Sequence, residues 1–264
     1  MIIETIEDLL SIVRELSETH EKRIFFRGQP DSTKNLIPSI QRPEYKFYES
    51  EVHMTNNFYV KVKPVLKDSP RKKNYAAWLS LMQHYGLPTR LLDWSISPLI
   101  ALYFAVEQYE NVKYMKSDAC VWALFPKTLN DREIPRNSKY KGIVYPSDDR
   151  IVNNMAVRAF KEDEPIDKRC EDKIIACYSI ENNLRMYKQQ SAFTIHNSKR
   201  IMNRLYTDDV LIQMIIPSNK RKYLLDSLEL LGITRSFVYP DIENIAAEVK
   251  EYYQRKYDVN LQRE

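Results

Sequence analysis

The sequence predicts an α+β fold, with a mixed, largely antiparallel sheet flanked by helices. One observation is the order of the elements, because an amphipathic helix and a short strand are followed by several helices, and strands alternate with helices only later. A doubly wound parallel sheet would alternate from its start. The other is size: 264 residues, 44% of them hydrophobic and 29% charged, suffice for a sizeable core. We expect one domain over residues 1–264, with a polar elaboration at about 127–172.

In residues 5–66, the spacing of apolar residues predicts the elements, and capping residues and prolines indicate where they begin and end. A helix is predicted over 5–18, where apolar residues recur at helical spacing and Thr5 and Asp8 resemble a capping box. A short apolar strand, a proline-containing loop and a long helix are then expected, over 23–27, 29–43 and 45–66.

The rest of the chain is organised around residues 84–105, HYGLPTRLLDWSISPLIALYFA. An apolar helix over 74–85 ends at Gly86, since glycine readily adopts the positive φ of a helix end. A second apolar helix, over 98–107, is expected to begin after Ser97 as N-cap. The sequence between the two helices is therefore predicted to be a short polar loop, which is a usual setting for a functional site.

The second part is expected to supply most of the strands. Runs rich in β-formers and bounded by Asp or Pro predict strands over 119–125, 173–180, 191–196 and 210–216, with a weaker candidate at 143–145. Helices are predicted over 150–160, 184–189 and 218–231 and from Pro240 onward, with an extended segment over 233–239.

Composition excludes several classes of protein. The chain has four glycines, and neither a P-loop nor a GxGxxG motif occurs. Three cysteines without a CxxC pair and four scattered histidines give no metal-binding pattern, so we expect no metal. The start of the sequence is acidic, unlike a signal peptide, and no apolar run approaches the ~20 residues of a membrane span. We therefore expect a cytoplasmic protein without a membrane partner.

The charge balance permits a nucleic-acid partner but does not demand one. The formal net charge is +4, and basic residues cluster at 61–73, 199–204 and 220–222. Two interpretations stay open: these clusters are solvated faces, or they contact an anion or nucleic acid.

Four separated motifs resemble the FRG domain family in the right order. They are FFRGQ at 25–29, the stretch 84–105, QQSAFTIH at 189–196 and the tail segment from Ile215, which together span Phe25 to Ala247. FRG domains are often associated with bacterial toxin and phage-defence systems. The resemblance therefore implies a toxin or defence effector, with a toxin–antitoxin or defence-system partner.

A wider resemblance is to ADP-ribosyltransferases of the arginine-serine-glutamate type. An arginine–glycine pair on a first strand and a serine motif before an Ala/Phe-rich helix carry it. It implies an ADP-ribosyltransferase-like core that uses NAD as substrate, held by Arg27, with Ser95 or Ser97 matching the serine motif. The chain departs from that type at the later glutamate motif, where it has Gln190 without a nearby Glu. A glutamine can hydrogen-bond a ribose hydroxyl but carries no charge, so Asp93 is the best substitute carboxylate.

The residues give each candidate a chemical role. Arginine's rigid fork suits a phosphate clamp at Arg27, and glycine at Gly28 would allow a ligand to approach closely. The alternative for Arg27 is an internal ion pair with Asp93, and Arg90 has the same alternative. Candidate catalytic residues are Asp93, Gln190 and His84. Candidate binding residues are Arg27, Gly28, Thr89, Arg90, Trp94, Ser95, Ser97 and Phe193, of which Trp94 or Phe193 would stack on a ring.

His84 has two interpretations, a core histidine packed beside Trp78 and Tyr85, or a general base or phosphate contact.

Three functions remain open for the chain. The leading one is an ADP-ribosyltransferase-like enzyme acting on a nucleotide, nucleic-acid or protein target. The others are a non-catalytic nucleotide-, RNA- or protein-binding module and a metal-independent nuclease that uses His84 and the basic residues.

Overall fold

A six-stranded antiparallel sheet forms the centre of the protein, with the strand order β4-β5-β2-β1-β3-β6. The structure, a computed structural model, describes residues 1–45, 51–67, 69–135, 142–145, 150–161, 170–179 and 184–261. The strands are β1 Phe25–Gln29, β2 Leu91–Ser95, β3 Ala119–Leu124, β4 Ile174–Tyr178, β5 Ser191–His196 and β6 Leu211–Ile216. The α+β class is confirmed, and the ladders between these six strands are antiparallel without exception.

Helices precede, connect and follow the strands. Those of the first part are α1 Ile6–Thr19, α2 Glu51–Val62, α3 Tyr75–His84, α4 Pro98–Val106, α5 Pro126–Glu133 and α6 Arg150–Ala156. Those of the second part are α7 Leu184–Lys188, α8 Met202–Leu205, α9 Arg221–Leu230, α10 Arg235–Val238 and α11 Ile242–Leu261. Of the helices that the structure describes, none combines the length and the apolar character needed to cross a membrane.

Three apolar clusters pack the sheet. On one face, α1, α4 and α9 cover the half formed by β1, β3 and β6, while α2, α3 and α6 cover the half formed by β2, β4 and β5. The opposite face packs against α5 and α8. Paired strand residues share a face, so Phe26, Ser95 and Ser191 mark the helical face that carries both α3 and α4.

Glycine at position 28 lets α4 lie directly on β1. A Cβ atom at Gly28 would stand 1.9 Å from the main-chain oxygen of Ala101 and 2.5 Å from the nitrogen of Ala105. Ser97 caps this helix, its hydroxyl accepting a hydrogen bond from the nitrogen of Ile100 at 3.4 Å. The helix thus fills the space that a Cβ atom would take, and Gly28 also borders the cavity that is described below.

Most elements lie where local signals place them, and capping residues explain the agreement. Thr5 and Asp8 form the predicted capping box of α1, and Ser97 and Pro98 begin α4. The predicted strands at 119–125, 173–180, 191–196 and 210–216 are present, with ends that differ by at most two residues. The predicted helix over 45–66 is observed over Glu51–Val62, and residues 46–50 lie outside the described residues.

The structure corrects the sequence predictions of secondary structure in four places. Residues 91–95, expected in a loop, form the central strand β2, whose five residues all pair with β5. The segment 233–239 was predicted to be extended but contains α10, which Thr234 caps. The polar stretch after residue 125 begins with the unpredicted helix α5, and the candidate strand at 143–145 is a single bridge from Val144 to Cys177.

Candidate functional site

A cleft opens on the helical face of the sheet, where β1 and β2 part. Within these two fully described strands, one residue pair, Phe26 and Ser95, forms the ladder, whereas each strand pairs along five residues with its other neighbour. The ends of α3, α4 and α7 surround the opening, whose cavity volume is about 310 Å³. That volume is at the lower end of the roughly 300–1,000 Å³ typical of small-molecule sites.

Arg27 reaches across the cleft from β1 to β2. Its Nη1 atom donates a hydrogen bond to the main-chain oxygen of Asp93 at 2.6 Å. Its Nε atom is buried and has no hydrogen-bond partner among the described residues. Burial lowers the pKa of the guanidinium to about 10, and the Asp93 carboxylate opposes this shift. Arg27 therefore stays charged at neutral pH and keeps unused donor capacity at the cleft.

Asp93 carries a carboxylate that is open to the cleft. Gln83 of α3 donates from Nε2 to Oδ1 of Asp93 at 2.5 Å, and the Oε1 atom of Gln83 accepts a hydrogen bond from Thr89. The walls of the cleft desolvate the carboxylate and raise its pKa, while Arg27, Gln83 and Arg185 act in the opposite direction. This arrangement holds the carboxylate in a fixed position without satisfying all of its lone pairs.

Glu107 contributes a second carboxyl group, which sequence reasoning missed. It lies at the C-terminal end of α4 and lines the cleft. The hydroxyl of Tyr239 lies 3.0 and 3.1 Å from its two oxygens and donates to them. Burial raises the pKa of Glu107 to about 7, against the effects of Tyr239 and two arginines. One signal could have identified this residue, since it is the first charged side chain after the apolar run Leu99 to Val106.

Arg185 of α7 is the second cation of the cleft, and it too was missed. Its guanidinium carbon lies 4.9 Å from the ring centroid of Tyr239, a cation–π contact. His84 lines the same cleft at the end of α3, and burial together with Arg185 lowers the pKa of its imidazole. Its ring contacts that of Tyr85 with centroids 5.0 Å apart. His84 is thus a cleft residue that is largely neutral at neutral pH.

Ser95 and Ser97 make hydrogen bonds that hold the backbone around the cleft. The hydroxyl of Ser95 lines the cleft, donates to the main-chain oxygen of Gln189 at 2.7 Å and accepts from the nitrogen of Ser97 at 3.0 Å. Ser97 itself caps α4 and is not among the residues that line the cleft. These bonds join the end of β2 to the turn before β5.

Arg90 does not pair with Asp93, which was one of its two interpretations. Its guanidinium is buried in a bidentate contact with Glu51, with Nε to Oε1 at 3.1 Å and Nη2 to Oε2 at 2.5 Å, and it also contacts Asn197. Thr89 is fully buried beside it. Both side chains lie away from the cleft lining and hold α2 and the later part of the chain to β2.

The structure does not place Trp94 and Phe193 as free stacking rings, and it does not place Gln190 in the cleft lining. Trp94 is buried with its Nε1 atom donating to Thr194 at 3.1 Å, and Phe193 is buried between the sheet and the helices. Both touch the cleft floor, but neither presents a free ring face. Gln190 is exposed with a φ of 46°, and its neighbour Gln189 lines the cleft instead.

This fold and site define an α+β protein with a cleft of mixed charge between two central strands. Residues 22–113 match the family model of the FRG domain, and over this range the chain is similar to that family. The matched range supplies Arg27, His84, Asp93 and Glu107, whereas Arg185 and the motif at 189–196 lie beyond it. No curated protein and no solved structure matches the chain.

Proposed function

We propose that the cleft binds NAD as a substrate and that the protein is an ADP-ribosyltransferase-like enzyme. The observation that carries the proposal is the guanidinium of Arg27, which faces the cleft with a buried Nε atom that no described residue satisfies. A phosphate oxygen would satisfy this donor, and arginine's planar fork is suited to that contact.

The charge pattern of the cleft favours a ligand that carries both signs. Arg27 and Arg185 provide two cations, and Asp93 and Glu107 provide two carboxyl groups. NAD combines two phosphates with a cationic nicotinamide ring, which complements such a pattern. The phosphates of nucleic acid have no cationic group beside them and complement only the arginines of this pattern, so the pattern favours NAD over the substrate of a nuclease.

Asp93 is the carboxylate assigned to the chemical step. When the bond between ribose and nicotinamide breaks, positive charge develops on the ribose carbon. A carboxylate held in place by Gln83 stabilises this charge without reorganising, which is the most effective form of electrostatic catalysis. Asp93 thus takes the place of the glutamate that the sequence lacks at Gln190.

The resemblance to FRG domains supports an effector role in a toxin or phage-defence system. In such a system the enzyme would modify a nucleotide, a nucleic acid or a protein. A toxin–antitoxin or defence-system partner would then control it.

Release of nicotinamide from NAD by the purified protein tests the proposal. The variant Asp93→Asn keeps the size and the contact with Gln83 but removes the charge. We expect release to fall by about 10²–10³-fold with the melting temperature retained. Asp131→Asn is the matched control, because Asp131 is exposed on α5 in an ion pair with Lys127 at 2.8 Å.

Two results of this assay would contradict parts of the proposal. Undiminished release by Asp93→Asn would contradict the role of Asp93. Binding of NAD without any release by the unmodified protein would indicate a non-catalytic binding module.

A further inference from the structure

We propose that Glu107 is the general base that accepts the proton of the acceptor nucleophile, an inference that rests on the proposed transferase function. The acceptor is then a hydroxyl or ammonium group, which must lose a proton in order to react. A carboxylate acceptor would need no base and would be repelled by Glu107.

The packing of α4 fixes Glu107 beside β1. The close approach of Gly28 to Ala101 and Ala105 holds the last turn of α4 against the strand that carries Arg27. Glu107 follows Ala105 by two residues and lines the same cleft as Arg27 and Asp93. The carboxyl group is therefore held at the site by a packed helix and not by a loop.

Tyr239 orients the carboxyl group of Glu107 without occupying it fully. Its hydroxyl provides a single proton to the two oxygens, so lone pairs of the carboxylate remain for a substrate proton. The Tyr239 ring is itself held by Tyr103, with centroids 6.4 Å apart, and by Phe104, at 6.1 Å. Arg185 covers the ring at 4.9 Å.

The surroundings of Glu107 suit proton transfer at neutral pH. The titratable and charged groups that face it are Tyr103 on its own helix, Arg185 on α7, Arg235 on α10 and Tyr239 after α10. Burial outweighs the arginines and the hydrogen bond, and the pKa of Glu107 is about 7. A base is most effective when its pKa lies near the working pH.

The step balances in atoms and electrons. The bond between the ribose carbon and the nicotinamide nitrogen breaks, and nicotinamide leaves as a neutral molecule with the electron pair. The new bond to the ribose carbon is formed by a lone pair of the hydroxyl oxygen, or by the lone pair that an ammonium nitrogen gains when its proton leaves. The proton of the acceptor passes to an oxygen of Glu107.

The pH dependence of nicotinamide release tests this inference, with NAD as the probe and water as the acceptor. We expect the rate of the unmodified protein to rise with pH through about 7, as Glu107 loses its proton. Glu107→Gln should lose this rise and fall at least ~10-fold at pH 8. Tyr239→Phe should move the rise to higher pH, because the lost hydrogen bond had lowered the pKa of Glu107.

Glu110→Gln is the matched control, because Glu110 is an exposed residue near the same helix end that accepts a hydrogen bond from Tyr109 at 2.7 Å. It should keep the profile of the unmodified protein. An unchanged rise with pH in Glu107→Gln, with NAD binding intact, would overturn the inference and leave the proposed function standing. Failure of the unmodified protein to bind NAD or to release nicotinamide would overturn both.

Discussion

Arg27 donates a hydrogen bond from Nη1 to the main-chain oxygen of Asp93 at 2.6 Å, and this bond bridges β1 and β2 beyond the end of their ladder. The strand pairing stops at Phe26 and Ser95, so a side chain takes over the connection between the two strands. The same side chain then faces a cleft in which Asp93 presents its carboxylate. The cleft therefore lies where the pairing between the two central strands ends.

The contact between Gly28 and α4 predicts a specific effect of Gly28→Ala. The added Cβ would meet the backbone of Ala101 and Ala105, so α4 must move away from β1. We expect a loss of about 1–3 kcal/mol in the free energy of unfolding, as for other overpacked sites. Faster hydrogen exchange along α4 should accompany it, measured on the native protein.

Gly232→Ala controls for the loss of a glycine as such. Gly232 has a φ of +80° and open space around the position of a Cβ atom, so its substitution strains the backbone at the end of α9 alone. Its exchange pattern along α4 should remain that of the unmodified protein. Unchanged exchange along α4 in Gly28→Ala would contradict the packing argument.

The buried ion pair between Arg90 and Glu51 predicts a large effect of Glu51→Leu. The side chains are 6% and 2% exposed, so removing the carboxylate leaves a buried charge without its partner. We expect a loss of about 3–5 kcal/mol in urea unfolding. Asp226→Asn is the control, since Asp226 forms an exposed pair with Lys222 at 2.7 Å and should lose at most about 1 kcal/mol. Equal losses in the two variants would refute the structural role of Arg90.

Glu107 predicts a pH dependence of stability that does not require any ligand. Its folded pKa of about 7 lies above the ordinary value of 4.5, so the fold favours the protonated carboxyl group. This contribution is fully present below about pH 4.5 and is lost as pH rises to about 7. Relative to Glu107→Gln, the unmodified protein should lose up to about 3 kcal/mol across this window.

Urea unfolding at several pH values measures that difference. The control Glu110→Gln should follow the unmodified protein throughout, because Glu110 is exposed. If the free energy of unfolding had the same pH dependence in Glu107→Gln and in the unmodified protein, the raised pKa of folded Glu107 would be contradicted.

Local signals predicted the elements that have local causes. The capping box at Thr5 and Asp8 and the Ser97–Pro98 start of α4 are short-range patterns, and both are observed. Strand β2 was missed because alternation of Asp93 and Ser95 with apolar residues resembled a polar loop. Its pairing with β5, about a hundred residues later, decides its conformation.

The site itself was predicted in part. Arg27, His84, Asp93 and Ser95 were singled out from their motifs, and they do line one cleft. Glu107 and Arg185 lie outside those motifs and were missed, and the fold brings them together from α4 and α7. The partner of Arg90 was missed for the same reason, because Glu51 lies 39 residues away in the sequence.

Equilibrium binding of NAD to the unmodified protein and to Arg27→Ala tests the central claim most directly. The claim predicts binding that weakens by about 10–100-fold in Arg27→Ala, the value of lost charge-assisted hydrogen bonds. Arg14→Ala, on the exposed face of α1, should bind as the unmodified protein does. Circular dichroism would verify that both variants are folded. Equal affinity of folded Arg27→Ala and the unmodified protein, or no binding by either, would contradict the claim.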